Sequence, residues 1–184
     1  LVYEKGFQVA LEAMPEVIER LPNTRFVVAG SGTHEQELRR QAEELGLMGH
    51  GTFVGWIGDD VLHSLYRIAD VCVVPSIYEP FGLVALEAMA SSCPCIVADT
   101  GGLREVVPHD EVGLRFRARD PASLAEMTIR VLDDAKLCRR LGLKVNVAAK
   151  IAESSIASAA AVQLACTVPN VDWGVSLTHF YLAE

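Results

Sequence analysis

The sequence predicts an α/β fold, a doubly wound parallel sheet with helices on both faces. Two observations lead there. Short runs that are apolar throughout, such as Val71-Cys72-Val73-Val74 and Cys95-Ile96-Val97-Ala98, alternate along the chain with segments whose apolar residues recur at helical spacing. Strands without a polar side belong to parallel sheets covered on both faces, and the intervening helices supply the crossovers that parallel strands require. With 184 residues the chain is long enough for one domain with a full core and too short for two of ordinary size.

In order, Phe7, Leu11, Met14, Val17, Ile18 and Leu21 mark a first helix, which Pro22-Asn23 ends. Arg25 to Ala29 is an apolar strand running into Gly30-Ser31-Gly32, and the polar stretch Glu35 to Leu45 is helical. Thr52-Phe53-Val54 is a strand, Leu62, Leu65, Tyr66 and Ala69 form a helix face, and Val71 to Val74 is a strand closed by Pro75. A helix over Leu83 to Ala90, a strand over Cys95 to Ala98, a short helix over Leu103 to Val107 and a strand over Gly113 to Phe116 follow. Pro121 suits the first position of an amphipathic helix carrying Leu124, Met127, Val131 and Leu132. The fold occupies residues 1–143. Ala and Ser dominate the sequence that follows, and 144–184 reads as a helix over Val145 to Ala165 with a tail.

Sixteen basic against 24 acidic residues give a net charge of −8, which argues against a broad surface for nucleic acid or anionic lipid. No uninterrupted apolar run is long enough for a membrane span, and the N-terminus lacks the zones of a secretory signal. Five cysteines (Cys72, Cys93, Cys95, Cys138, Cys166), an odd number without paired C-x-x-C spacing, read as reduced thiols of a cytoplasmic protein. The five histidines show no metal-like spacing and there is no D-x-D diphosphate-metal motif, so a metal-free site is expected.

In doubly wound sheets ligands bind beyond the carboxyl ends of the strands. The loop after Val74 carries the candidate chemistry. Glu79 lies in it, and a helix starting near Gly82 contains Glu87 five residues on, roughly 7 to 8 Å along the axis at 1.5 Å per residue. The amides near Gly82, Leu83 and Val84 have no intrahelical acceptors, and the helix dipole adds partial positive charge. Gly82 has no side chain to hold a phosphate off, so a diphosphate fits. Glu79 would be repelled by that diphosphate and suits sugar hydroxyls or developing positive charge. Glu87 suits a ribose diol, since a carboxylate accepts from two vicinal hydroxyls. Taken singly, Glu79 is a favourable acid near a helix start and Glu87 a solvated helix residue; the sequence between them supports the ligand reading.

The run Pro75-Ser76-Ile77-Tyr78-Glu79-Pro80-Phe81-Gly82-Leu83-Val84-Ala85-Leu86-Glu87 resembles the E-x7-E signature of the family 4 type of retaining GT-B glycosyltransferases, which includes glycogen and starch synthase-like enzymes. Glu4-Lys5-Gly6-Phe7, Val28-Ala29-Gly30-Ser31-Gly32 and Thr100-Gly101-Gly102-Leu103-Arg104-Glu105-Val106-Val107 agree in the same order. The resemblance covers about Leu1 to Leu141 and implies the C-terminal, Rossmann-like, donor-binding half of a GT-B fold. It implies Lys5 at the donor diphosphate and Gly30, Ser31 and Gly32 lining the donor cleft. Backbone near Ile57 would hold the base, and amides at Phe81, Gly82, Leu83 and Val84 would meet phosphate or sugar. Glu79 would lie by the transferred sugar and Glu87 on the ribose. The implied partner is a UDP-, ADP- or GDP-linked sugar, with no further cofactor. The family's N-terminal acceptor domain is not among these residues, and an arginine that precedes the lysine in the family falls before Leu1. The expectation is a piece of a longer enzyme with little transfer activity alone. Competing expectations are a GT-B-like sugar-nucleotide epimerase or phosphorylase, and a non-catalytic nucleotide-sugar-binding module.

Overall fold

A computed structural model describes residues 1–142, so the helix expected over 145–165, the tail and Cys166 lie outside the described residues. Five strands and seven α-helices alternate within them. The order is α1 (Phe7–Arg20), β1 (Phe26–Ala29), α2 (Glu35–Glu44), β2 (Gly51–Gly55), α3 (Asp59–Ile68), β3 (Cys72–Val74), α4 (Leu83–Ala90), β4 (Cys95–Ala98), α5 (Leu103–Val106), β5 (Leu114–Phe116), α6 (Pro121–Asp133) and α7 (Ala135–Leu141). Short 3-10 turns at Tyr3–Lys5 and Leu47–Gly49 precede α1 and β2.

Every strand pairing is parallel. The hydrogen-bonded ladders form two sets, β1-β2 and β3-β4-β5, with Val28 opposite Phe53, Val73 opposite Ile96 and Val97 opposite Arg115. The strands of the larger set show why they read as continuous apolar runs. Along β4, Ile96 and Ala98 join Val9, Ala13 and Val17 of α1, Leu114 and Phe116 of β5 and Leu124 and Val131 of α6 in one core. Cys95 and Val97 face the other way, into a second core with Val74, Tyr66 of α3, Ala85, Ala88 and Met89 of α4 and Leu103 of α5. Successive side chains of a strand point to opposite faces, so a strand covered on both sides must be apolar at every position. A third core, of Leu11, Leu38, Ala42 and Leu47, packs α1 and α2 beside Phe26 and Phe53 of β1 and β2.

The helix expected from Pro121, with Leu124, Met127, Val131 and Leu132, is α6; α7 follows it, and the sequence reading named no element there. Asp120 caps α6 by accepting from the Ser123 amide at 3.0 Å, and Asp134 leaves helical geometry (φ −113°, ψ 93°) to accept from Lys136 and Leu137 amides at 2.9 and 3.1 Å, opening α7 as a separate helix. No helix among the described residues is long and apolar enough to cross a membrane.

Candidate functional site

Two loops that are distant in sequence are laced together at the carboxyl end of β3. The carbonyl of Glu4 accepts from the amides of Ile77 at 2.8 Å and Tyr78 at 3.3 Å. Gly6 follows with φ 69°, where a Cβ would run into the carbonyl of Pro75, so the Lys5-Gly6 pair is pressed flat against the Pro75 to Tyr78 loop. From the other side, Thr100 Oγ1 donates to the Ile77 carbonyl at 3.2 Å and the Gly102 amide to the Glu79 carbonyl at 2.9 Å. The Glu4-Lys5-Gly6 and Thr100-Gly101-Gly102 segments thus hold the backbone that presents Glu79.

Glu79 is a buried residue, only 8% exposed. Its Oε2 accepts from Lys5 Nζ at 2.7 Å and from Ser76 Oγ at 3.3 Å, and its Oε1 from the Gly82 amide at 3.3 Å. Burial alone would push its carboxyl up, but the Lys5 ammonium, the Gly82 amide and the Ser76 hydroxyl together outweigh it and hold the group below the usual glutamate range. The Lys5 side chain remains 45% exposed. Gly82 turns into α4 with φ 79°, and a Cβ there would press on the Leu103 side chain. The first residues of α4 are open to solvent, with Phe81 71% exposed and Leu83 and Val84 also exposed. Of the expected free amides, the Gly82 N–H is not free: the Glu79 carboxylate already accepts from it. The Leu83 and Val84 N–H groups have no acceptor among the described residues.

Glu87 sits elsewhere, on the part of α4 that packs against α3. Its carboxylate accepts no hydrogen bond from any described residue. Burial pushes its carboxyl up, nearby His63 works against that and Asp59 adds to it. Asp59, His63 and Tyr66 share one face of α3 at i, i+4 and i+7, and Tyr66 is buried among Ala85, Ala88 and Met89 of α4. Ile57 is half-buried in the loop entering α3, beside Trp56, which is 78% exposed. Gly30, Ser31 and Gly32 lie at the carboxyl end of β1, where the Gly30 amide donates to the Gly55 carbonyl at 2.7 Å and the Leu1 carbonyl accepts from His34 at 3.0 Å across the loop.

The structure therefore joins Lys5, Glu79 and Gly82 in direct contact and puts Glu87 inside α4, the helix that Gly82 opens, in a different environment. Ile57 and Gly30 to Gly32 stand at strand ends of the same sense without a direct bond to Glu79. The sequence reading gave no role to Ser76, Asp59 or His63. The spacing of Asp59, His63 and Tyr66 carried a signal, but which face of α3 meets α4 is a tertiary fact. Cys72 stands opposite Cys95 across β3 and β4, and burial pushes the Cys93 thiol up to about 12. No group of three or more His, Cys, Asp or Glu residues suited to hold a metal ion occurs among the described residues.

With this geometry in view the family relationship becomes decisive. The sequence profile of glycosyl transferases group 1 matches residues 1–145. This chain belongs to the glycosyl transferases group 1 family. A glycogen synthase of Mycobacterium tuberculosis is 40% identical over 140 residues, which cover 76% of this chain and 34% of that protein. The crystal structure of a C-terminal domain of a group 1 glycosyl transferase from Francisella tularensis superposes with a TM-score of 0.72 at 30% identity, covering 78% of this chain and 77% of that one. Anabaena HepE in complex with UDP-glucose gives a TM-score of 0.71 at 25% identity, over 89% of this chain and 42% of that one. The group 1 chain described here spans about a third of the length of the curated relatives it matches. Its doubly wound α/β fold is that of GT-B glycosyltransferases.

Proposed function

We propose that these residues form the C-terminal, donor-binding half of a retaining GT-B glycosyltransferase of the family 4 type, which moves a hexose from a nucleoside diphosphate to an acceptor hydroxyl with retained configuration. The observation that carries the reading is the set of groups at the start of α4 and further along it. The Lys5 ammonium stands at the start of α4 with the Leu83 and Val84 amides, and Glu87 lies further along it; neither those amides nor the Glu87 carboxylate has a hydrogen-bond partner among the described residues.

In this reading the diphosphate takes the cation and the amides. Charge that grows on the leaving phosphate is then met by groups already in place, which is electrostatic assistance aimed at the transition state. Glu87 accepts from the two ribose hydroxyls, backbone near Ile57 holds the base, and Gly30 to Gly32 border the cleft. Glu79 has about four acceptor positions and uses three on Lys5, Ser76 and Gly82, leaving room for a sugar hydroxyl. Lys5 and the amides meet the diphosphate without a metal ion. The acceptor is held by a separate N-terminal domain, and the 184 residues alone bind donor without transferring sugar. The cytoplasm is the compartment this chemistry suits, since nucleotide sugars are its substrates.

UDP-glucose bound to Anabaena HepE supports a UDP-linked donor. Calorimetric titration of UDP, ADP and GDP, with their glucose, N-acetylglucosamine and mannose conjugates, tests the reading. Binding of at least one base, unchanged by EDTA, is expected. Failure of all three diphosphates to bind, or loss of binding on chelation, contradicts it.

A further inference from the structure

We propose that Glu79 is a positioning residue for the anion site: its carboxylate pins the Lys5 ammonium beside the start of α4. The inference rests on the donor-site reading above and adds a role in holding the cation to the sugar contact given there.

Lysine reaches a ligand on a flexible four-carbon stem with three rotatable N–H donors, so an unrestrained ammonium samples many positions. Here one donor is fixed at 2.7 Å on Glu79 Oε2, and with the side chain 45% exposed the remaining donors are accessible from solvent. The strut itself is rigid. Glu79 is 8% exposed, its backbone carbonyl is bound by the Gly102 amide at 2.9 Å, and its second oxygen accepts from Gly82 at 3.3 Å. The carboxylate thus ties the ammonium to the residue that opens α4, setting the distance between the cation and the Leu83 and Val84 amides. The loop that carries Lys5 is fixed to the same frame through the Glu4 carbonyl.

A simpler account gives the opposite forecast. If Glu79 only neutralises Lys5, removing its charge frees a cation and tightens a diphosphate. Positioning predicts weaker binding, because glutamine has one acceptor end and one donor end. Whichever way its amide turns in Glu79→Gln, an NH2 faces either the Lys5 ammonium or the Gly82 N–H.

The test is calorimetric titration of UDP and uridine against wild type, Glu79→Gln, Lys5→Met and the double variant. Glu79→Gln should weaken UDP about tenfold, the scale of one hydrogen bond to a charged group, and leave uridine unchanged, which also shows that the variant is folded. In the Lys5→Met background the same substitution should change UDP affinity less than about twofold. UDP binding to Glu79→Gln at wild-type strength or tighter overturns the proposal, as does an equal penalty with and without Lys5. If Lys5→Met itself leaves UDP unaffected, the donor-site reading falls and takes the proposal with it; a loss at Lys5→Met with none at Glu79→Gln overturns the positioning alone.

Discussion

Glu79 and Glu87 carry the same functional group in one run of sequence, and the fold gives them opposite surroundings. Glu79 is held by a lysine, a hydroxyl and a backbone amide, and its carboxyl lies below the usual range. Glu87 accepts nothing from the described residues, and burial between α4 and α3 holds its carboxyl above that range. A carboxylate supplied with three donors is part of the frame. A half-buried carboxylate that takes no donor from the described residues keeps its acceptor positions for water or a ligand. Under the proposed donor-site reading, the difference gives Glu79 a share in building the site beside its sugar contact and leaves Glu87 to the ribose alone.

The sharpest way to break the comparison is through the frame. Gly6→Val puts a β-branched residue at φ 69° and against the Pro75 carbonyl, which should cost about 3 kcal/mol or more in denaturant unfolding. A cost below about 1 kcal/mol would show that the loops carrying Lys5 and Glu79 are not fixed to each other. Next comes Glu79→Ala, which strands the Gly82 amide and the Lys5 ammonium and should cost about 1 to 3 kcal/mol near neutral pH. Because the Glu79 carboxyl is lowered in the fold, this stabilisation is present above the unfolded glutamate value of about 4.3 and is lost as pH falls through the lowered folded value. Wild type and variant should therefore converge in acid.

The smallest effect is expected at Glu87. Its raised carboxyl favours the protonated form in the fold, so wild type loses stability as pH rises through that range. Glu87→Gln should match or exceed wild type at pH 7 by a few tenths of a kcal/mol, the group being partly screened by solvent, and the gap should close in acid. A stability loss at Glu87→Gln comparable to that at Glu79→Ala would erase the distinction between the two residues.

Much of the fold was legible in sequence because burial on both faces writes itself into every position of a strand. Cys95 to Ala98 had to be apolar throughout, since Ile96 and Ala98 enter one core and Cys95 and Val97 the other. The start of α4 next to Gly82 and the place of Glu87 inside it also follow the sequence reading. What escaped were contacts between distant segments. Lys5 and Glu79 are 74 positions apart, and nothing in either neighbourhood says that they touch. The same holds for the Gly82 amide, expected to be open: helix periodicity shows that it lacks an intrahelical partner, and only the folded loop shows that Glu79 supplies one. The helix α7, for which the sequence reading named no element, opens on one capping residue, Asp134.

The central claim of the proposed donor-site reading, that Glu87 meets the ribose while Lys5 and the start of α4 meet the diphosphate, is tested most directly by calorimetry with a changed ribose. UDP and its 2′,3′-dideoxy analogue are titrated against wild type and Glu87→Ala. Wild type should prefer UDP by about tenfold or more, the scale of hydrogen bonds to a charged acceptor, and Glu87→Ala should bind the two ligands equally. A Glu87→Ala protein that keeps the wild-type preference for UDP would contradict the account.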